Sequence, residues 1–337
     1  MMKKKRVCIL YTGGTIGMIP SENGYVPAAG KFAQILQDIR AMHHPDMPEW
    51  TLMEFDPLLD SSDVAVAQWN QMGRTIAEHY EEYDGFVILH GTDTMAYSAS
   101  ALSFMLEGLS KAVVFTGSQI PMSQLRSDAV DNIVNSLVIA ASGRVHEVCL
   151  YFNGKLMRGN RSTKMSSDQF GAFTSPNAPY LAEAGIHIRY FDGALRPEGH
   201  QPLHLQEFQE APIAVLKIFP GIQFELFESI MTEKLKGVVL ETFGAGNIPS
   251  YNSELLPIIE KAYRSGTIIT VCSQCMQGTV SLGAYATSKG LRAVGAVSGG
   301  DMTTEAAVTK LYYLFSKGLS TEEIKINMSR NLRGELS

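Results

Sequence analysis

The chain has 337 residues, of which 45% are hydrophobic and 18% charged, with a formal net charge of −6. That balance excludes an intrinsically disordered chain, and charges scattered along the sequence leave no basic face for nucleic acid. The length exceeds what one ordinary core organises, so two domains are expected, and no apolar run is long enough to span a bilayer.

The one basic cluster, Lys3 to Arg6, reads as a solvated lead-in to the first strand. With the apolar residues that follow it imitates a signal peptide. The run stops at Thr12 and Gly13, short of an h-region, so a cytoplasmic protein is expected. Residues 6–11 form a short buried strand by pattern and run into a turn of three glycines, Gly13, Gly14 and Gly17. The turn holds Thr15 where the backbone bends sharply and a ligand can approach closely. Thr15 is the candidate nucleophile.

Further along, Ser61, Ser62 and Asp63 offer an N-cap to a helix whose apolar face carries Trp69, Met72, Ile76 and Tyr80. Residues 85–89, 112–116 and 147–152 read as buried strands. Met95, Ala99, Leu102 and Leu106 mark a second helix after Asp93 and Thr94. Strands alternating with helices predict βαβ units and a mainly parallel sheet. In such sheets ligands gather beyond the carboxyl ends of the strands, where Thr15, the segment from His90 to Asp93, and the segment from Thr116 to Gln119 all fall.

Residues 191–212 contain three prolines and no apolar period and read as a linker after a catalytic domain at 1–190. Beyond them, 213–219, 237–241, 267–271 and 293–297 look like four strands of a smaller, flavodoxin- or Rossmann-like α/β domain at 213–337. Asp301 is placed to cap the helix carrying Ala306, Leu311 and Leu314, and Ser320 with Glu323 has capping-box spacing for the last helix. Of the four cysteines, Cys8 and Cys149 lie in predicted strands. Cys272 and Cys275 have C-x-x-C spacing without a second pair to complete a metal site, so a reduced structural pair is expected.

A threonine hydroxyl is a poor nucleophile and needs a group to take its proton. The sequence offers Tyr25, just after the loop at 20–24, and a second group of Thr92, Asp93 and Lys164. A lysine serves as a base when desolvation lowers its pKa, an effect that a neighbouring carboxylate opposes. Taken singly, these residues read as a turn former, a surface charge and a helix cap; their convergence is what points to chemistry.

Residues 11–17 and 90–95 resemble the two signature segments of the bacterial-type asparaginase/glutaminase family, nearest its cytosolic type I branch. Matching stretches at 60–62, 116–121, 126–128, 159–164, 244–247 and 299–302 extend the resemblance over nearly the whole chain. It implies hydrolysis of L-asparagine to L-aspartate and ammonia, with no metal or organic cofactor. Thr15 is then the nucleophile, and Tyr25 the phenol that assists it. Thr92, Asp93 and Lys164 form the second catalytic group, Asp93 also facing the substrate's α-ammonium. Asp60, Ser61 and Ser62 hold the α-carboxylate end. Asn247 matches a position offered to a neighbouring subunit's site, which implies a homodimer or homotetramer.

Asparagine and glutamine differ by one methylene, worth only about 1–3 kcal/mol in a pocket, so a glutaminase or a partner-dependent amidase stays open. The start of the chain a few residues before the first strand favours a stand-alone enzyme. Some cytosolic members bind an effector asparagine through an arginine aligned with Glu241, in a pocket completed by the loop with Ser273 and Cys275. A carboxylate cannot replace that guanidinium, so weak or absent allostery is expected.

Competing readings fit less well. Gly13, Gly14 and Gly17 match neither the dinucleotide-binding G-x-G-x-x-G pattern nor a phosphate-binding P-loop. No G-x-S-x-G elbow supports a serine hydrolase. His90 reads as a satisfied core or loop histidine.

Overall fold

The computed structural model describes residues 4–22, 24–27, 30–228, 230–231, 234–249, 254–283 and 286–337. Lys3 of the basic cluster and Asn23 of the loop before Tyr25 lie outside the described residues. The chain divides into two compact units, Met1–Ser175 with Pro179–Leu205, and Pro176–Ala178 with Gln206–Ser337.

Val7, Cys8, Ile9, Leu10 and Tyr11 are all buried, the continuous apolar run that a parallel strand covered on both faces requires. They belong to β1 (Arg6–Gly13) of an eight-stranded sheet. The other strands are β2 (Glu49–Leu59), β3 (Gly85–Leu89), β4 (Ala112–Thr116), β5 (Val148–Phe152), β6 (Lys155–Arg158), β7 (Ala182–Ala184) and β8 (Ile188–Tyr190). Their order across the sheet is β8-β7-β6-β5-β4-β3-β1-β2. The β2/β1, β1/β3, β3/β4 and β4/β5 pairings are parallel, and those from β5 to β8 are antiparallel. Helices α1 (Val66–Glu78), α2 (Met95–Met105) and α3 (Ala129–Ala141) make the crossovers from β2 to β3, β3 to β4 and β4 to β5, and a short helix at Phe32–Gln37 lies between β1 and β2. The loops after β1, β2, β3 and β4 therefore emerge at the same edge of the sheet.

The second unit has a four-stranded, wholly parallel sheet of β9 (Ile213–Lys217), β10 (Gly237–Thr242), β11 (Ile268–Ser273) and β12 (Val297–Ser298), in chain order. Helices α4 (Leu255–Arg264), α5 (Ala286–Ala293), α6 (Thr304–Ser316) and α7 (Thr321–Met328) accompany it. Val238, Leu240, Ile259, Ile269, Val271 and Leu291 form its core. Two α/β units with mainly parallel sheets are the expected fold class. Within residues 191–212, His204–Leu205 pairs antiparallel with Leu106–Glu107, so the chain up to Leu205 packs with the first unit.

Local signals misplace three features. The strand expected at 293–297 is the end of α5, a turn and then only Val297–Ser298 in the sheet. Ala293 and Gly295 supply neither β-branching nor pairing there. Ser61–Asp63 form a separate 3₁₀ turn, and α1 starts after Ala65, whose N–H donates to Gln68 Oε1 at 3.0 Å. Asp301 does not cap α6. Its carboxylate binds the N–H and hydroxyl of Ser337, while Thr303 Oγ1 accepts the Ala306 N–H at 3.2 Å. The box at α7 forms as expected: Ser320 N–H donates to Glu323 Oε2 at 2.9 Å and Glu323 N–H to Ser320 Oγ at 3.4 Å.

Candidate active site

At the end of β1 the pairing with β2 slips, Tyr11 facing Glu54 but Gly13 facing Leu59. The slip brings two backbones into contact. A Cβ on Gly13 (φ +128°) would lie 2.2 Å from Leu59 O, and one on Gly14 (φ +84°) would lie 2.4 Å from Gly91 N. Both the left-handed dihedrals and the missing side chains are needed for the loops after β1, β2 and β3 to meet. Thr15 opens the 3₁₀ turn Thr15–Gly17 that follows. It is half-buried, and its hydroxyl has no hydrogen bond among the described residues.

Opposite, on the Gly91 loop, Thr92 is buried and Asp93 exposed. Lys164 reaches both from the two-stranded ladder Thr163–Lys164 with Phe173–Thr174: its Nζ donates to Thr92 Oγ1 at 2.8 Å and to Asp93 Oδ1 at 2.7 Å. The ammonium therefore points at the threonine hydroxyl with the carboxylate alongside. Thr94 Oγ1 donates to Ser61 O at 2.7 Å and fastens this loop to the one after β2. There Asp60 Oδ1 accepts the N–H and the hydroxyl of Ser62, each at 2.9 Å, and Ser61 is buried against Gly91. The loops carrying Thr15, carrying Thr92 and Asp93, and carrying Asp60, Ser61 and Ser62 thus abut one another in one unit, with Lys164 reaching in from its ladder.

His90 is not free for proton transfer. It is 1% exposed, and burial drives its imidazole pKa down to about 4, so it is neutral near pH 7. Its Nδ1 faces Gly91 O at 2.7 Å, so that nitrogen carries the proton. Nε2 then accepts from Ser98 Oγ at 2.9 Å, and Ser98 Oγ accepts the Trp69 Nε1–H at 3.0 Å. The unfolded imidazole binds its proton near pH 6.5 and the folded one only near pH 4. Stability from this group is therefore complete above pH 6.5, falls as the pH drops through that window, and levels off below about 4. The expected loss is on the order of 3 kcal/mol. Urea unfolding of the protein and of His90→Gln from pH 7 to 4 checks it: the variant should have the shallower slope, and equal slopes would count against the assignment.

Tyr25 lies on a hairpin of Met18–Ser21 with Gly24–Pro27, is 46% exposed, and accepts a hydrogen bond from Gln124 Nε2. No hydrogen bond joins it to Thr15 among the described residues. Asn247 belongs to the second unit, where its N–H donates to Phe243 O at 2.8 Å in a tight turn. Glu241, also in the second unit, accepts from Thr304 Oγ1 at 2.5 Å. Cys272 is buried with its thiol pushed up to about 12, whereas Cys275 is exposed; both are free thiols. No group of three or more His, Cys, Asp or Glu suited to a metal occurs among the described residues. Gln124 went unnoticed in the sequence because a single glutamine in a polar loop carries no pattern.

A free hydroxyl on a glycine turn beside a Lys–Thr–Asp cluster, at the carboxyl edge of a parallel sheet, defines the class of an α/β enzyme equipped for acyl transfer. The chain belongs to the asparaginase family: residues 6–196 match the model for the N-terminal domain of asparaginase and residues 212–328 that for the glutaminase/asparaginase C-terminal domain. It is 47% identical over 336 residues to L-asparaginase 1 of Escherichia coli strain K12, covering 100% of this chain and 99% of that one. L-asparaginase I from Vibrio cholerae superposes with a TM-score of 0.93 at 45% identity, covering 99% and 100% of the two chains. The thermostable L-asparaginase from Thermococcus kodakarensis superposes with 0.89 at 31%, covering 98% and 99%.

Proposed function

We propose that this amidohydrolase converts L-asparagine to L-aspartate and ammonia, with Thr15 as its nucleophile. The observation that carries the reading is Lys164 Nζ within hydrogen-bond distance of both Thr92 Oγ1 and Asp93 Oδ1, on a loop that touches the Thr15 turn through Gly14 and Gly91. Full-length similarity to L-asparaginases supports the substrate.

In the first stage Thr15 Oγ attacks the side-chain amide carbon, assisted by the Tyr25 phenol, and the C–N bond breaks to release ammonia. Backbone N–H groups of the Gly91–Thr92 loop are the donors for the developing oxyanion, since the Gly14 N–H is engaged by Leu59 O at 3.3 Å. In the second stage water attacks the acyl-threonine ester and aspartate leaves. Thr92 and Lys164 move the proton. Asp93 binds the α-ammonium of the substrate. Ser61 and Ser62, the latter oriented by Asp60, hold the α-carboxylate end. No step requires a metal or organic cofactor. We further propose a homodimer or homotetramer in which Asn247 serves a neighbouring chain's site. A cytoplasmic location fits four free cysteines, three of them buried. Among the described residues no helix is long and apolar enough to cross a membrane.

Ammonia release by the purified chain from L-asparagine and L-glutamine in parallel tests the activity. Faster release from asparagine is expected; faster release from glutamine would make the chain a glutaminase, and none from either by folded protein would overturn the reading. With the Glu241 carboxylate engaged by Thr304, the second unit offers no guanidinium at that position to an effector's carboxylate. The rate should therefore rise hyperbolically with asparagine concentration, and a sigmoidal curve at fixed oligomeric state would contradict this.

A further inference from the structure

The turn at 119–128, after β4, is built more firmly than a surface loop requires. The Asp128 carboxylate accepts the N–H of Gln119 at 3.1 Å on each oxygen and that of Ile120 at 3.2 Å. Ser118 and Ser127 hydroxyls both donate to Ile120 O, at 2.6 and 3.0 Å. Asn132 Nδ2, buried in α3, donates to Asp128 Oδ2 at 3.1 Å and to Gly117 O at 3.0 Å. Backbone bonds from Gln124 to Pro121 O and from Ser127 to Gln124 O close the turn.

From this frame three consecutive residues reach the segment that begins at Thr15. Met122 N–H donates to Ile16 O at 3.2 Å, Ser123 Oγ to Met18 O at 3.4 Å, and Gln124 Nε2 to the Tyr25 phenol oxygen. One rigid turn therefore sets both the residue next to Thr15 and the phenol 10 positions later in the chain. The phenol needs such a hold. It stands on a two-stranded hairpin, a unit that is marginal by itself, with 46% of its surface exposed. Among the described residues Gln124 is its one hydrogen-bond partner. Because Gln124 donates, the phenol's own O–H stays free to bond a second oxygen.

We propose that Gln124 is a positioning residue for the amide hydrolysis, acting through Tyr25: its side-chain amide fixes the phenol oxygen on a turn that also registers the Thr15 strand end. The inference rests on the assignment of Tyr25 as the group that assists Thr15. Removing the amide releases the phenol without disturbing the substrate contacts on the loops after β2 and β3, so it lowers kcat rather than raising KM.

The test is a double-mutant cycle of Gln124→Ala and Tyr25→Phe on the full chain with L-asparagine, together with amide hydrogen exchange. Gln124→Ala should lower kcat about 10-fold with KM changed less than about two-fold. Tyr25→Phe should lower kcat at least as much, and the double variant should be no slower than Tyr25→Phe alone. Exchange in residues 18–22 and 24–27 should accelerate in Gln124→Ala while the amides of Gln119 and Ile120 stay protected. Losses that multiply in the double variant, or a wild-type kcat for Gln124→Ala beside an impaired Tyr25→Phe, would overturn the proposal. A wild-type kcat for Tyr25→Phe would instead place the failure in the assignment of Tyr25, and the proposal would fall with it.

Discussion

Thr15→Ala should cut ammonia release from L-asparagine at least about a thousand-fold and leave the protein folded. The hydroxyl has no hydrogen-bond partner among the described residues, so deleting it orphans no buried group. Thr15 is half-buried in a 3₁₀ turn whose shape is set by Gly13 and Gly14 rather than by its own side chain. Stability should therefore stay within about 0.5 kcal/mol of the unmodified chain. On the proposed mechanism, activity falls because the nucleophilic atom itself is removed, and no neighbour on that turn carries another. Full turnover in Thr15→Ala with loss in Thr92→Val would move the nucleophile to the other loop.

Lys164→Met should lower kcat by about 10²–10⁴-fold, the span expected for removal of a positioned acid–base group. The ammonium uses two of its three N–H donors on Thr92 Oγ1 and Asp93 Oδ1. Without it the buried Thr92 hydroxyl loses its donor and, on the proposed mechanism, the proton has no route off the reacting water. The stability effect should be small, since the Asp93 side chain is 69% exposed and solvent screens the pair. Lys164→Arg separates the roles of that ammonium. Arginine keeps the positive charge but cannot give up its proton, so a base should not be replaced by it, whereas a purely electrostatic group would be partly restored. Steady-state kinetics of both variants decide between these.

The parts of this site that were legible in the sequence are those written in strand-end chemistry. The strands Gly85–Leu89 and Ala112–Thr116 are apolar runs bounded by polar loops, and their ends fall where the pattern puts them. These two ends, with the glycine turn after β1, place Thr15, Thr92 and Asp93 at one edge of a parallel sheet before any side-chain geometry is known. Lys164 is different. It reaches across from a two-residue strand, 72 positions from Thr92, and although the sequence offers it as a candidate base, no spacing ties it to that threonine. Gln124 was invisible because its partner Tyr25 is 99 positions away and neither residue sits in a periodic pattern. The cap expected at Asp301 failed for a related reason. The distant Ser337 claims the Asp301 carboxylate, and Thr303, two positions on, takes the cap. Where bonding is local, as at Ser320 and Glu323, the sequence pattern and the structure agree.

The central claim is that the acyl group passes through Thr15. Its most direct test is to mix the Lys164→Met chain with excess L-asparagine, quench with acid, and map the peptide masses. Slowed release of aspartate should leave one aspartyl group on the peptide containing Thr15, sensitive to mild base and absent from a Thr15→Ala/Lys164→Met chain. An aspartyl group found instead on the peptide containing Thr92, and persisting in the double variant, would contradict it.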